Sequence, residues 1–285
     1  MTGLKTALRG ELFVGLRSFS SKLVVLGPAL VAACQFVIVR LGELGTQSRE
    51  TLLGGSAASA DITVSAYGYF VDGLLTGLMI LALLIVALAA YSISNDRDSG
   101  QLRHLVIRRI SRPAVVIGKL LYLHLLALLS ILCLGLVCYG VSASLWEFGP
   151  IVEDGFELIS EVEIRQEISL GLRLALLPLP AAIAFGLFVS VITQTTTQAI
   201  STALGITLAI DVFKSSLGEW AYYLYASFQP SLLDQSYLND VSRLVRGYSD
   251  VLVDNRFLEM NTWVPLPTAM VFTVAALLII RKIKI

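Results

Sequence analysis

Apolar positions along the chain gather in six long runs separated by polar stretches. The runs are Leu23 to Leu41, Gly73 to Ile93, Ala114 to Val141, Leu172 to Ile192, Gln198 to Phe213 and Val264 to Ile280. A bilayer core of about 30 Å needs about 20 apolar residues in a helix, so each run meets or approaches one crossing. The fifth and sixth are short, and their helices must stand upright or thin the bilayer around them. A different pattern precedes the first run. Leu4, Leu8, Leu12, Leu16 and Phe19 recur every three or four residues and draw one apolar stripe along a helix, with Lys5, Arg9 and Arg17 off it. Residues 1–22 therefore read as an amphipathic helix lying in the membrane interface, its basic face toward anionic headgroups. Residues 23–285 read as one six-helix transmembrane domain. The expected fold class is all-α integral membrane.

Composition agrees with lipid as the solvent. Of the 285 residues 56% are hydrophobic and only 15% charged, against about 25% charged in a typical soluble domain. Mean hydropathy is +0.78. Cys34, Cys133 and Cys138 fall inside apolar runs with no paired CxxC spacing, so they read as small packing residues rather than a disulfide or zinc framework. Val31-Ala32-Ala33-Cys34 faintly resembles a cleavage box, but the apolar run continues through Phe36 to Val39 and a long mixed segment precedes it. The first span is expected to stay.

Net charge is zero overall and strongly segregated. Six spans put both termini on one side. That side, with the loop between spans two and three, holds 13 of the 21 basic and three of the 21 acidic residues, a net +10 that leaves −10 on the other. Lys and Arg stay on the cytoplasmic side of short loops. Both termini are therefore expected in the cytosol of a bacterial or archaeal cell, with the protein in its inner membrane.

The loop between spans two and three is the densest in chemistry. It reads Ser94-Asn95-Asp96-Arg97-Asp98-Ser99-Gly100-Gln101-Leu102-Arg103-His104-Leu105, then Arg108-Arg109-Ile110-Ser111-Arg112-Pro113, then Gly118-Lys119. Asp96 to Ser99 has the residues of a capped helix start, with acids at the positive dipole end. Leu102, Leu105, Val106 and Ile110 give a short apolar face. Ser111-Arg112-Pro113 ends that helix, and Pro113 suits the first turn of the next. A short basic amphipathic helix over 96–110, held at both ends by spans, is built to carry a push from a soluble partner.

This stretch resembles the type-2 ATP-binding-cassette (ABC) permease family, of type V exporter form. Members carry an acid-rich turn with Gly-Thr, a leucine-rich helix, a Ser-Arg, and a Gly-Lys opening the third span. Here these are Asp96/Asp98 with Gly100, Ser111-Arg112 and Gly118-Lys119, with Gln101 in place of the usual Thr and Arg108-Arg109 where short apolar residues are commoner. The likeness covers most of the chain and is nearest to the branch containing the permease of nitrous-oxide-reductase copper-site maturation. It implies a homodimer or heterodimer of permeases, two copies of a separate ATPase that holds the ATP and Mg, and a coupling helix at 96–110. The docking residues it implies are Asp96, Asp98, Gly100, Leu102, Arg103, Leu105, Arg108, Arg109 and Arg112. A P-loop needs Gly-x-x-x-x-Gly-Lys-Ser/Thr. At Gly118-Lys119 the upstream glycine position is Pro113 and the next residue is Leu120, so the pattern fails twice. No cofactor and no nucleic acid are expected on this chain.

Residues 142–171 form an outer segment rich in acids (Glu147, Glu153, Asp154, Glu157, Glu161, Glu163, Glu167) against Arg165. A charge run of this kind is a solvated face, not a metal site. Residues 214–263 are aromatic, from Trp220 to Trp263, which fits short interfacial or re-entrant helices over the outer mouth, or a lid that meets a periplasmic client. Ionisable groups at membrane depth are costly and often functional. His124 and Asp211 are the candidates for a cavity or proton site. Asp211 also has Lys214 three residues on, a pair expected at the outer surface. Pro178 and Pro180 should kink span four. A membrane enzyme lacks any convergent nucleophile, base or metal set. Transport permease is the leading reading, and a non-transporting anchor or sensor for a periplasmic assembly factor is the alternative.

Overall fold

The computed structural model describes residues 3–53, 65–101, 111–153, 156–230, 237–246 and 255–282. Among them six helical segments are long and apolar enough to cross a membrane. Helix α1 spans Leu4–Gly15, and after a break α2 (Phe19–Leu53) makes the first crossing. Helices α3 (Ala66–Asp98) and α4 (Arg112–Leu145) are the second and third. A short antiparallel hairpin, β1 (Ile151–Glu153) and β2 (Phe156–Ile159), follows. The fourth crossing is made of α5 (Glu161–Leu176) and α6 (Leu179–Ile192), and α7 (Thr196–Leu217) is the fifth. Two 3₁₀ turns (Gly218–Tyr223 and Tyr225–Phe228), α8 (Tyr237–Leu244) and α9 (Asn255–Trp263) lead to α10 (Pro265–Lys282).

The helices run past the apolar cores that hydropathy marks, because their ends are held by polar partners rather than by lipid. Span four differs most from expectation. The helix was expected to begin at Leu172, after a solvated outer segment. Instead it begins at Glu161, where Ser160 and Glu163 form a reciprocal capping box. Pro178 then breaks it, and a new helix starts at Leu179. The acids of 161–167 thus lie on the polar side of a helix whose Ile164, Ile168 and Gly171 are buried.

Helix α3 is the centre of the bundle and packs against α2, α4, α6 and α7. Its buried row includes Leu74, Leu78, Leu81, Ile85, Ala89 and Ile93. Close approach to α2, α4 and α6 comes from glycine. Gly73 faces the Phe36 ring and Gly77 faces Leu134, and a Cβ on either would collide with that side chain. At Gly186 the α6 backbone lies against α3 itself, where an added Cβ would stand 2.6 Å from Ala89 Cβ and 2.8 Å from the Val86 carbonyl.

One end of the bundle carries the start of α1 and the end of α10. We call it the termini end. At the far end, Glu43 of α2 accepts from Arg40 at 3.0 Å, from Trp146 Nε1 at 3.1 Å and from Tyr69 Oη, whose ring stacks on Trp146 at 4.0 Å. Asp72 pairs there with Arg246 and accepts from Ser242, which ties α8 to α3. Tyr237 donates to Glu167 at 2.7 Å. Burial, with that carboxylate beside it, pushes its phenol above the ordinary range and keeps the proton in place. Asn261 donates to the Leu174 carbonyl at 3.0 Å and fixes α9 to α5. Among its described residues, the aromatic segment before the last span therefore forms a cap of short helices and 3₁₀ turns. Arg40 and Asp72 are thus both paired within the protein.

Candidate functional site

The chemistry concentrates at the termini end, around the residues that flank positions 102–110. Leu102, Arg103, Leu105, Arg108 and Arg109 lie outside the described residues. The elements on either side of them are fixed in detail.

Asp96 to Ser99 does not start a helix. Helix α3 runs through Asp98, Ser99 caps it, and Gly100 at φ +74° takes the left-handed position that ends helices. Two carboxylates therefore sit at the negative end of a helix dipole, where anions are disfavoured. Each has a compensating partner, and those partners define the site.

Asp96 turns inward. Its Oδ2 lies 2.9 Å from Lys119 Nζ, and Glu11 Oε1 of α1 lies 2.9 Å from the same nitrogen. Lys119 is 4% exposed and Asp96 7%. One ammonium thus bridges α1, α3 and α4. The contact is possible because α1 lies flat on α4: Ala7 and Gly15 are buried, and the backbone at Ala7 and Leu8 covers Gly118. Gly15 receives the Tyr122 ring, whose hydroxyl bonds Ser21 Oγ at 2.7 Å. The inward face of α1 is the Ala7–Glu11–Gly15 row, not the leucine stripe. Small residues let the two backbones approach, and Glu11 supplies the ion pair.

Asp98 stays outward and accepts from the backbone N–H of Thr196 at 2.7 Å and from its hydroxyl. It thereby adds negative charge at the N-terminal end of α7. Arg97 beside it donates to the carbonyls of Val191, at 2.9 Å, and Thr193. A cation thus holds the C-terminal carbonyls of α6, and its neighbour anion holds the first N–H groups of α7. One turn deeper, Ser190 Oγ accepts from the N–H groups of Ile93, at 3.0 Å, and Ser94, at 2.8 Å. The end of α3 and the α6–α7 turn form one hydrogen-bonded block. Arg97→Ala removes two charge-assisted bonds at a half-exposed position. It is expected to lower stability by about 1–2 kcal/mol, read as a lower unfolding midpoint in detergent.

The remaining sequence candidates are placed as follows. Arg112 opens α4 with Pro113 behind it, as the sequence implied, and donates to the Arg281 carbonyl of α10 at 3.3 Å. Gly118 and Lys119 form the α1–α4 seam. His124 bonds the Leu120 carbonyl of its own helix through Nδ1 at 2.7 Å. Asp211 and Lys214 pair at 3.1 Å, but buried beneath the far-end cap, 9% and 6% exposed, rather than at the surface. Sequence reasoning missed Glu11, Arg97, Thr196 and Ser190. A signal for the first was present: Glu11 is the one acid before Glu43, and Lys119 the one charge between Arg112 and Glu147.

Six helices long and apolar enough to cross a membrane, with ion clusters at both ends, have the build of a multi-pass membrane protein. The ABC-2 family transporter model matches residues 17–281, and the chain belongs to that family. It is the permease component of an ABC transporter, a multi-pass membrane protein that works with an ATPase subunit. A comparison with curated proteins finds no match.

Proposed function

We propose that this chain is the permease of an ABC exporter, driven by two copies of a separate ATPase that dock on the loop between its second and third crossings. Both termini and that loop lie in the cytosol of a bacterial or archaeal cell, a placement supported by the +10 to −10 segregation of charge. Two copies of the chain pair, and their spans alternate access to a shared cavity. The likeness of sequence to the copper-site maturation branch favours movement of cargo away from the cytosol.

The observation that carries the coupling role is the anchoring of both ends of the loop. Asp96, Arg97 and Asp98 on one side and Arg112 and Lys119 on the other reach α1, α6, α7 and α10. A load applied between positions 101 and 111 is therefore handed to most of the bundle as a rigid unit. Charge-paired ends resist local bending, so displacement of the loop becomes displacement of spans. ATP hydrolysis belongs to the partner, and this chain supplies the lever.

The double variant Leu102→Asp/Leu105→Asp places two carboxylates on the apolar face of the loop. It is expected to lose co-purification of the ATPase from the native membrane and with it all transport, while the permease itself stays folded. Cysteine labelling of Arg108→Cys in intact cells should require a membrane-permeant reagent. Full transport by the double variant, or labelling of position 108 from outside, would replace the lever with the anchor reading.

A further inference from the structure

Between α1 and the bundle lies a cavity of about 410 Å³, open on one side. That volume falls in the range of small-ligand sites, about 300–1,000 Å³. Its inner wall is the ion cluster itself. Glu11 and Asp96 bring two negative charges and Lys119 one positive, so the wall carries one net negative charge at low dielectric. Ser92 and Asn95 of α3 add polar atoms beside it, while Val14 and Leu123 make an apolar flank. Gly10 lines it, and a Cβ added there would meet nothing within 4 Å.

Basic residues stand close to the lining along the chain. Lys5 and Arg9 of α1 and Arg17 in the break after it follow at four- and eight-residue steps and are exposed. Arg9 is three residues from Thr6 and Arg17 three from Val14, both of which line the cavity. An anionic pocket with exposed cations nearby, under a helix whose sequence reads as interfacial, matches a molecule with an ammonium at its tip and a phosphate behind it. We infer that this cavity seats the headgroup of a zwitterionic phospholipid carrying a primary amine, drawn from the leaflet on which α1 lies. The ammonium meets the Glu11 and Asp96 carboxylates, the phosphodiester meets the basic residues of α1 and the break after it, and the acyl chains leave over the exposed apolar residues Phe13 and Leu16. A primary ammonium donates three hydrogen bonds to such a wall, and a trimethylated one donates none. The bound lipid would act as a wedge between α1 and the α3–α4 pair, so the lever's stiffness would depend on membrane composition.

The test is native mass spectrometry of the purified chain, equilibrated with equal amounts of phosphatidylethanolamine, phosphatidylcholine and phosphatidylglycerol. The wild type is expected to retain phosphatidylethanolamine over each of the others by about tenfold. Gly10→Phe fills the cavity without touching the ion cluster. It is expected to abolish that preference while leaving the unfolding midpoint unchanged, and Gly10→Ala, which occupies little of the space, is expected to keep it. Glu11→Gln, which neutralises the wall, should reduce the preference at least as far as the general lipid background. Three results overturn the inference: equal retention of the three lipids by the wild type, stronger retention of phosphatidylglycerol, or an unchanged preference in Gly10→Phe.

Discussion

Lys119→Ala is expected to be the most damaging single substitution in the chain. Glu11 and Asp96 would lose the ammonium that each touches at 2.9 Å. Asp96 would also be left at the C-terminal end of α3, where the dipole opposes it. Breaking a buried ion pair by removing one partner costs about 3–5 kcal/mol, because the stranded charge keeps its desolvation penalty. Here two charges are stranded, and each can escape by moving α1 away from α4. Two readings should follow. The unfolding midpoint in detergent should fall sharply, and the Leu16–Ser18 break should become open to protease as α1 swings free. Neutralising the whole cluster with Lys119→Met, Glu11→Gln and Asp96→Asn should recover most of the stability, since nothing charged remains buried, but should not restore transport. A Lys119→Ala protein with the wild-type midpoint and a protected break would show that the cluster does not hold α1.

Gly186→Val is the second. A Cβ at this position stands 2.6 Å from Ala89 Cβ, 2.8 Å from the Val86 carbonyl and 3.2 Å from the Ala90 nitrogen. Two of these neighbours are backbone atoms in the middle of a helix and cannot rotate away. The only relief is separation of α3 from α6, which also pulls Ser190 from the N–H groups of Ile93 and Ser94 one turn along. The expected loss is at or beyond the about 1–3 kcal/mol typical of overpacking, seen as little folded protein in size-exclusion of detergent extracts. Gly135→Ala is the matched control. Its Cβ meets nothing within 4 Å, and alanine is favoured over glycine inside a helix by about 1 kcal/mol. Equal yields of folded Gly186→Ala and Gly135→Ala would mean that this crossing is looser than the geometry states.

Both substitutions act on contacts that hydropathy cannot register. Hydropathy reads the cost of placing a residue in lipid, so it located the six crossings and marked Asp211 and His124 as unusual. It has no means of telling that Asp211 finds Lys214 under a cap of short helices, or that His124 bonds the Leu120 carbonyl in the turn behind it. Local pattern also misread the acidic turn. Asp-x-Asp-Ser-Gly has the composition of a helix start, and only the positions of Lys119 and Thr196, 23 and 98 residues further on, make the same residues stable as a helix end. The leucine stripe of α1 was real as a pattern, yet burial chose the Ala7–Glu11–Gly15 face. A close backbone contact favours small side chains, and the stripe is made of large ones.

The sequence by itself determined that this is a helical membrane protein with six crossings, which end carries the excess of Lys and Arg, and where the one densely charged short loop falls. These follow from transfer free energies and charge, which are properties of residues taken nearly one at a time. Only the tertiary structure decided that Glu11, Asp96 and Lys119 share one cluster, that Arg97 and Asp98 clasp the α6–α7 turn, and that a cavity opens beneath α1. Those depend on pairs of residues 23 to 108 positions apart, and the pairing is set by which helix faces pack together. An ion pair lowers free energy only at contact distance, so the sequence can supply the charges while the fold alone assigns their partners.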